Sequence, residues 1–203
     1  MKVFKLLSAD LFVQPNVGTE EQQKNILDFA YSQKRQNPTE MAFSNYGCWR
    51  SEFEYENIDW LIQNILDVVH EAIKLYESLD LTYKNKVKHY GLPKINYWTN
   101  INEPGAKNVM HCHDLHHYVA VYYIQSKNTG AINFHNPANL LENCHAHSPF
   151  VSQMSYEPND GDLLIWPGWM PHSIDENRSK IDRVNIAFNI RFETPRMIEN
   201  RYD

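Results

Sequence analysis

Between residues 20 and 79 the apolar positions of this chain recur every three to four residues, whereas beyond residue 91 they alternate or cluster in short blocks between turns. Ile26, Leu27, Ala30 and Tyr31 form one helical stripe. Thr19 with Gln22 three residues later has the pattern of a capping box, and the stripe ends before Pro38, so a first helix is predicted over 20–36. Ile58, Leu61, Ile62, Ile65, Val69, Ala72 and Ile73 keep a 3.6-residue period and predict a second helix over 58–79. Lys2 to Leu7 reads as a short strand, and Ser44 to Glu52 as a structured loop pinned by Trp49. After Gly91 and Pro93, strands are predicted at 94–100, 109–113, 118–125, 131–134, 162–166 and 183–192. The turns between them are Glu103-Pro104-Gly105, Asn128-Thr129-Gly130, Asn136-Pro137, Pro158 to Gly161 and Pro167-Gly168. The fold class expected is mainly β, a barrel or jelly roll of short antiparallel strands with the amino-terminal helices packed on one face. Residues 1–203 are read as a single domain, helical over 1–90 and β over 91–203.

Composition narrows the function. Nineteen basic against twenty-five acidic side chains give a net charge of −6, with no basic stripe for a phosphate backbone, so no nucleic-acid partner is expected. No apolar run approaches the ~20 residues that span a bilayer, so no membrane partner is expected either. Three cysteines, Cys48, Cys112 and Cys144, without a signal-peptide pattern point to a reducing cytoplasm.

Histidine is the unusual residue: seven of the ten lie between positions 111 and 147. His111 and His113, two apart in a predicted strand, share a face and can reach one metal ion. His172 follows a Pro-Gly-Trp turn and supplies a distant third imidazole, and a transition-metal site of this kind keeps its other side open for substrates. Two half-exposed histidines in a polar strand would give the same H-x-H pair, so the surroundings decide. Arg183 opens the last strand, where its rigid fork suits a carboxylate or a surface pairing with Asp182 or Glu193. Tyr123 is placed either to donate to the same carboxylate or to fill core, and Asn100 and Asn189 either line the same mouth or face water at a strand edge. Cys144-His145-Ala146-His147 lacks a structural zinc spacing and reads as a loop. His116 and His117, just past the proximal pair, are either plain exposed histidines or line the substrate opening.

NVMHCH at 108–113, VYYI at 121–124, TGAINFHNP at 129–137, GDLLIWPGWMPHS at 161–173 and RVNIAFN at 183–189, in this order and spacing, resemble the prolyl-4-hydroxylase-like branch of the 2-oxoglutarate and Fe(II)-dependent dioxygenases. With SNYGCWRS at 44–51, the chain resembles more closely a small group of such oxygenases from marine bacteria and their phages. The resemblance implies a double-stranded β-helix, cupin-like, with metal ligands His111, His113 and His172. It further implies 2-oxoglutarate bound by Arg183 and Tyr123, and O2 consumed as a C–H bond is hydroxylated with release of succinate and CO2. The substrate would be a small molecule or a peptidyl or free amino acid such as proline. The enzyme would be cytoplasmic, in a host cell if phage-encoded, and a homodimer is left open.

The sequence departs from the family's His-x-Asp or His-x-Glu at one point, reading His111-Cys112-His113-Asp114. Strand alternation favours His113 as the third ligand, and a bulge would bring in Asp114 instead. The rival reading is a cupin-like metal-binding barrel without oxygenase activity, or another metal-dependent enzyme; it has no need of Arg183 with Tyr123.

Overall fold

The computed structural model describes residues 10–39, 44–51, 55–79, 93–137 and 153–192. Among these, two helices and nine strands follow the order β1 (Phe12–Gln14), α1 (Glu20–Gln36), β2 (Asn45–Arg50), α2 (Asp59–Leu79), β3 (Pro93–His111), β4 (Tyr118–Gln125), β5 (Ile132–His135), β6 (Gln153–Tyr156), β7 (Leu163–Pro167), β8 (His172–Ile174) and β9 (Arg183–Phe192). The strand predicted at 2–7 and the Cys144 to His147 motif lie outside the described residues.

Helix α1 starts where its local chemistry requires. The Thr19 hydroxyl accepts from Gln22 N–H while the Gln22 carboxamide accepts from Thr19 N–H, so two amides with no partner inside the helix are satisfied reciprocally. Both helices lie on one face of the sheet. Ile26 and Ala30 of α1 and Leu61, Ile65, Val69 and Ala72 of α2 bury their stripes against Ala120, Tyr122, Ile165, Ile186 and Phe188.

The strands run antiparallel in the order β1-β7-β4-β9-β3-β8-β5-β6, with β2 added along β3. Strand β3 joins the two halves. Its first part, Pro93 to Asn102, pairs residue by residue with β9, and its last part pairs with β8, Asn108 with Ile174 and His111 with His172, with a register shift between those two pairs. A long strand that passes from one sheet to the other closes the structure into a jelly roll, the double-stranded β-helix expected.

Three expectations are corrected here. Glu103-Pro104-Gly105 does not end a strand: the nineteen residues of β3 run through it, and Gly105 at φ 89° supplies the bend at the sheet-to-sheet transfer. Ser44 to Glu52 is not a loop over its described part, because Asn45–Arg50 pair with β3 from Asn108 back to Asn100. The short strands β1, β6 and β8 were not predicted, since three or four residues carry too little periodicity.

Alternation along β9 separates two interiors. Val184, Ile186, Phe188, Ile190 and Phe192 face the helices, whereas Asn185, Ala187 and Asn189 line a cavity inside the roll. That inner space is walled by a second apolar group, Val119, Val121, Ile132, Phe134, Leu164 and Trp166.

Candidate metal centre

His111 and His172 face one another directly across the β3–β8 ladder, and His113 follows two residues along. The ring centroids lie 4.3 Å apart for His111 and His172 and 5.2 Å for each of the other two pairs. One ligand atom from each of the three falls within 4.8 Å of the others. The sequence-predicted trio is therefore brought together at one end of the cavity. Asp114 is not part of the cluster; its carboxylate accepts from the Cys112 thiol at 3.4 Å.

Main-chain contacts fix which nitrogens are available. His111 Nδ1 lies 2.8 Å from the Val109 carbonyl and His172 Nδ1 3.0 Å from that of Met170. A carbonyl only accepts, so each Nδ1 carries its hydrogen and each Nε2 presents a lone pair to the centre. Trp166 packs edge-on against His172 at 4.9 Å and holds its ring from behind.

The backbone of the cluster is clamped by one turn. His113 N–H donates to the Gly168 carbonyl at 2.8 Å, and Gly168 N–H donates to the His117 carbonyl at 3.1 Å. The segment that delivers His172 is thus tied to the segment that delivers His113. Glycine is required at 168 by contact, since a Cβ there would collide with the His116 carbonyl oxygen. His116 and His117 serve this junction and are neither exposed nor on the cavity wall: His117 Nδ1 accepts from Phe192 N–H at 3.2 Å.

Burial keeps the imidazoles neutral. It is the largest cause pushing His172 down to about 3 and His113 down to about 4, and the neighbouring histidines lower both further. His111 is lowered for the same reason. Metal binding near neutral pH therefore has no proton to displace from these rings. The sign for stability follows: the unfolded state takes up protons below about pH 6.5 while the folded, metal-free state does not. Stability is fully present above that pH and is lost as pH falls toward 4 and then 3, at ~1.4 kcal/mol per unit and group before coupling. Urea denaturation of metal-free protein at pH 7.5 and pH 4.5 should show a loss of at least about 2 kcal/mol, and the alanine variant of His172 should lose less.

Arg183 lies at the start of β9 with 0% of its surface exposed. Nη1 donates to the Thr129 carbonyl at 2.8 Å, while Nε and Nη2 are buried without a hydrogen-bond partner. Asp182 is not its counter-ion: that carboxylate accepts from Tyr31 Oη at 2.9 Å, and Glu193 lies outside the described residues. Tyr123 is equally enclosed, its Oη also unpaired; burial raises its pKa while the Arg183 charge pulls the other way. Asn100 is buried and donates to Asn185 Oδ1 at 2.9 Å, and Asn189 stands beside His113 with its Oδ1 unpaired. Both asparagines line the cavity and neither is a solvent-facing edge residue.

Several lining residues escaped sequence reasoning. Arg50 of β2 reaches the cavity with its guanidinium 3.9 Å over the ring of Trp98. Asn102 and Asn108 complete a polar wall in which Asn102 donates to Asn108 at 3.3 Å and Asn108 donates to Asn45. Every one of them depends on the β2–β3 pairing, for which the sequence carries no local signal.

Residues 96–189, just under half of the chain, match the family described as "Putative 2OG-Fe(II) oxygenase". No curated protein matches the sequence. Among solved structures, a Pseudomonas putida prolyl-4-hydroxylase superposes with a TM-score of 0.62 at 13% identity, covering 92% of this chain and 94% of its own. A Trichoplax adhaerens prolyl hydroxylase, in complex with a hypoxia inducible factor peptide fragment, gives 0.63 at 9% identity with 94% and 86% covered. HygX from Streptomyces hygroscopicus, with nickel and 2-oxoglutarate bound, gives 0.55 at 11% identity with 90% and 82% covered. The matched stretch runs from β3 to β9 and carries all three clustered histidines, and over it the chain is similar to the 2-oxoglutarate and Fe(II)-dependent oxygenases.

Proposed function

We propose that this oxygenase holds Fe(II) on His111, His113 and His172, binds 2-oxoglutarate through Arg183 and Tyr123, and hydroxylates a C–H bond of a small-molecule or peptidyl substrate. The observation that carries the reading is the set of idle donors sealed inside the fold, Arg183 Nε and Nη2 with Tyr123 Oη. A buried cation with unsatisfied N–H groups is expensive, on the order of several kcal/mol. A carboxylate on Nε and Nη2, with the tyrosine hydroxyl as a further donor, satisfies all of them. Val121, Ile132 and Ile174 on the cavity wall offer an apolar sleeve for the two methylenes of 2-oxoglutarate.

With Fe(II), 2-oxoglutarate and O2 bound, the chemistry supplied is oxidative decarboxylation: one oxygen atom enters succinate, CO2 leaves, and the other oxygen atom becomes the hydroxyl of the product. The chain's own residues prepare for it. The Val109 and Met170 carbonyls fix the tautomers of His111 and His172, so both present Nε2. Trp166, Val119 and Ala187 exclude water from the inner side of the cluster. Asn100 and Asn189 line the polar side, where Asn189 steadies His113. The free thiols of Cys48 and Cys112 suit the cytoplasm, and no helix among the described residues is long and apolar enough to cross a membrane.

A metal-binding barrel without oxygenase activity would give no reason to seal an arginine and a tyrosine behind the histidines. Adding 2-oxoglutarate anaerobically to the Fe(II) protein should produce a visible charge-transfer band, and aerobic incubation should yield succinate. If neither appears while metal remains bound, the oxygenase reading gives way to the barrel.

A further inference from the structure

Trp166 buries a hydrogen-bond donor that no acceptor among the described residues meets. Its side chain is 1% exposed, stands on the cavity wall, and has Nε1 unpaired. An indole donates and cannot accept, and a phenylalanine would complete the same wall without an unmet N–H. The side chains grouped with it, Val119, Phe134 and Leu164, are apolar, so a trapped water would lack the partners it needs. The idle donors of Arg183 and Tyr123 have a task at one carboxylate of 2-oxoglutarate. The indole N–H has none there.

Strand register fixes the level at which it sits. Trp166 of β7 pairs with Val119 of β4, and its ring meets His172 edge-on, centroids 4.9 Å apart. Two residues further in, Leu164 pairs with Val121, whose other neighbour is Ala187 of β9. Two residues further again along β4 stands Tyr123, within reach of the Arg183 charge. Val119, Val121 and Tyr123 share one face by strand alternation and belong to one inner group. The wall thus runs from a donor at the metal centre, past an apolar level, to donors at the far end. 2-Oxoglutarate has the same order: a keto acid, two methylenes and a second carboxylate. When its keto acid chelates a metal through the keto oxygen and one carboxylate oxygen, the other carboxylate oxygen is left to accept a hydrogen bond. His172 and Trp166 are buried, whereas His111 and His113 are half-buried, so the indole lies on the closed side of the centre and a substrate enters from the other.

On the oxygenase reading given above, we propose that Trp166 is a co-substrate-binding residue, its Nε1–H donating to the carboxylate of 2-oxoglutarate that adjoins the keto group. The molecule is then held by a donor at each end, and its keto acid is turned toward His111, His113 and His172.

The test uses the full-length protein as wild type and as Trp166→Phe, which keeps the ring contacts and removes the N–H. In 15N-labelled wild type loaded with Zn(II), the Trp166 indole resonance, one of five, is assigned through its contacts with His172 and Phe134. It should move downfield when 2-oxoglutarate is added. In calorimetry on the Ni(II) proteins, Trp166→Phe should bind 2-oxoglutarate at least about tenfold more weakly, as loss of a hydrogen bond to a charged group implies, with Ni(II) affinity unchanged. A stationary indole resonance or equal 2-oxoglutarate affinity would overturn the proposal. So would a fall in Ni(II) affinity, since the N–H would then serve the His172 ring. Wild type that binds metal but takes up no 2-oxoglutarate would remove the oxygenase reading and the proposal with it, whereas equal uptake by wild type and Trp166→Phe would remove only the assignment of Trp166.

Discussion

Arg183→Met is expected to yield a protein that is more stable without ligands and almost inactive. Arg183 is fully buried, with Nε and Nη2 unpaired, so the metal-free, ligand-free state holds a desolvated cation that only part of its surroundings satisfies. A methionine of similar length fills the same space without that burden. Replacing poorly compensated buried charge by apolar groups typically stabilises by about 1–4 kcal/mol; here the Thr129 carbonyl loses its donor and brings the gain toward the lower end. On the proposed function the sign reverses for 2-oxoglutarate, because the variant would lose a bidentate partner for its carboxylate. Truncating one side of a buried charge pair costs about 2–5 kcal/mol, roughly 30-fold to several-thousand-fold in affinity. Urea denaturation of the apo proteins, set beside KM for 2-oxoglutarate in succinate formation, would show both effects. A variant less stable than wild type, with an unchanged KM, would mean that the arginine is an ordinary core strut.

His172→Ala is expected to abolish succinate formation and to weaken Fe(II) or Ni(II) binding by ~100-fold or more, beyond the 10- to 100-fold that loss of a mere supporting group causes. The side chain is 3% exposed, is paired across the ladder with His111, and is supported by Trp166. Without it, only His111 at the end of β3 and His113 two residues beyond it remain. His135→Ala is the control: that ring belongs to the next strand but hydrogen-bonds Ser173 on the other face and should leave metal affinity intact. Calorimetric titration with Ni(II) and a thermal melt on both variants would distinguish loss of a ligand from loss of the fold. Unchanged metal affinity in His172→Ala would remove the three-histidine centre from consideration.

How much of this was legible in the sequence depends on the range over which each feature is encoded. Helix α1 was readable to the residue because its start is a local exchange between Thr19 and Gln22. Arg183 was readable because strand alternation fixes which side chains share a face; the H-x-H pair was readable from its spacing, although the strand predicted over 109–113 ends at His111 and His113 follows just beyond it. Strand β2 was not, since Asn45 to Arg50 mixes Gly47 with two aromatics and forms a strand only by lying along β3. Arg50 was missed for that reason, as its cavity position is a property of the pairing with Asn100. The turn signal at Glu103-Pro104-Gly105 was real but marked a bend between two sheets, a meaning that exists only once both sheets have formed.

Gly168 gives the metal centre an uncommon freedom. Because the main chain at His113 is held by the Gly168 carbonyl, and that glycine in turn by the His117 carbonyl, position 113 is set by backbone and not by the side chain it bears. Histidine and aspartate codons differ by a single base, so one point mutation at 113 would exchange a neutral ligand for an anionic one with no rearrangement of the strands around it. A lineage carrying this clamp could change the net charge of the proposed metal site in one evolutionary step and in either direction.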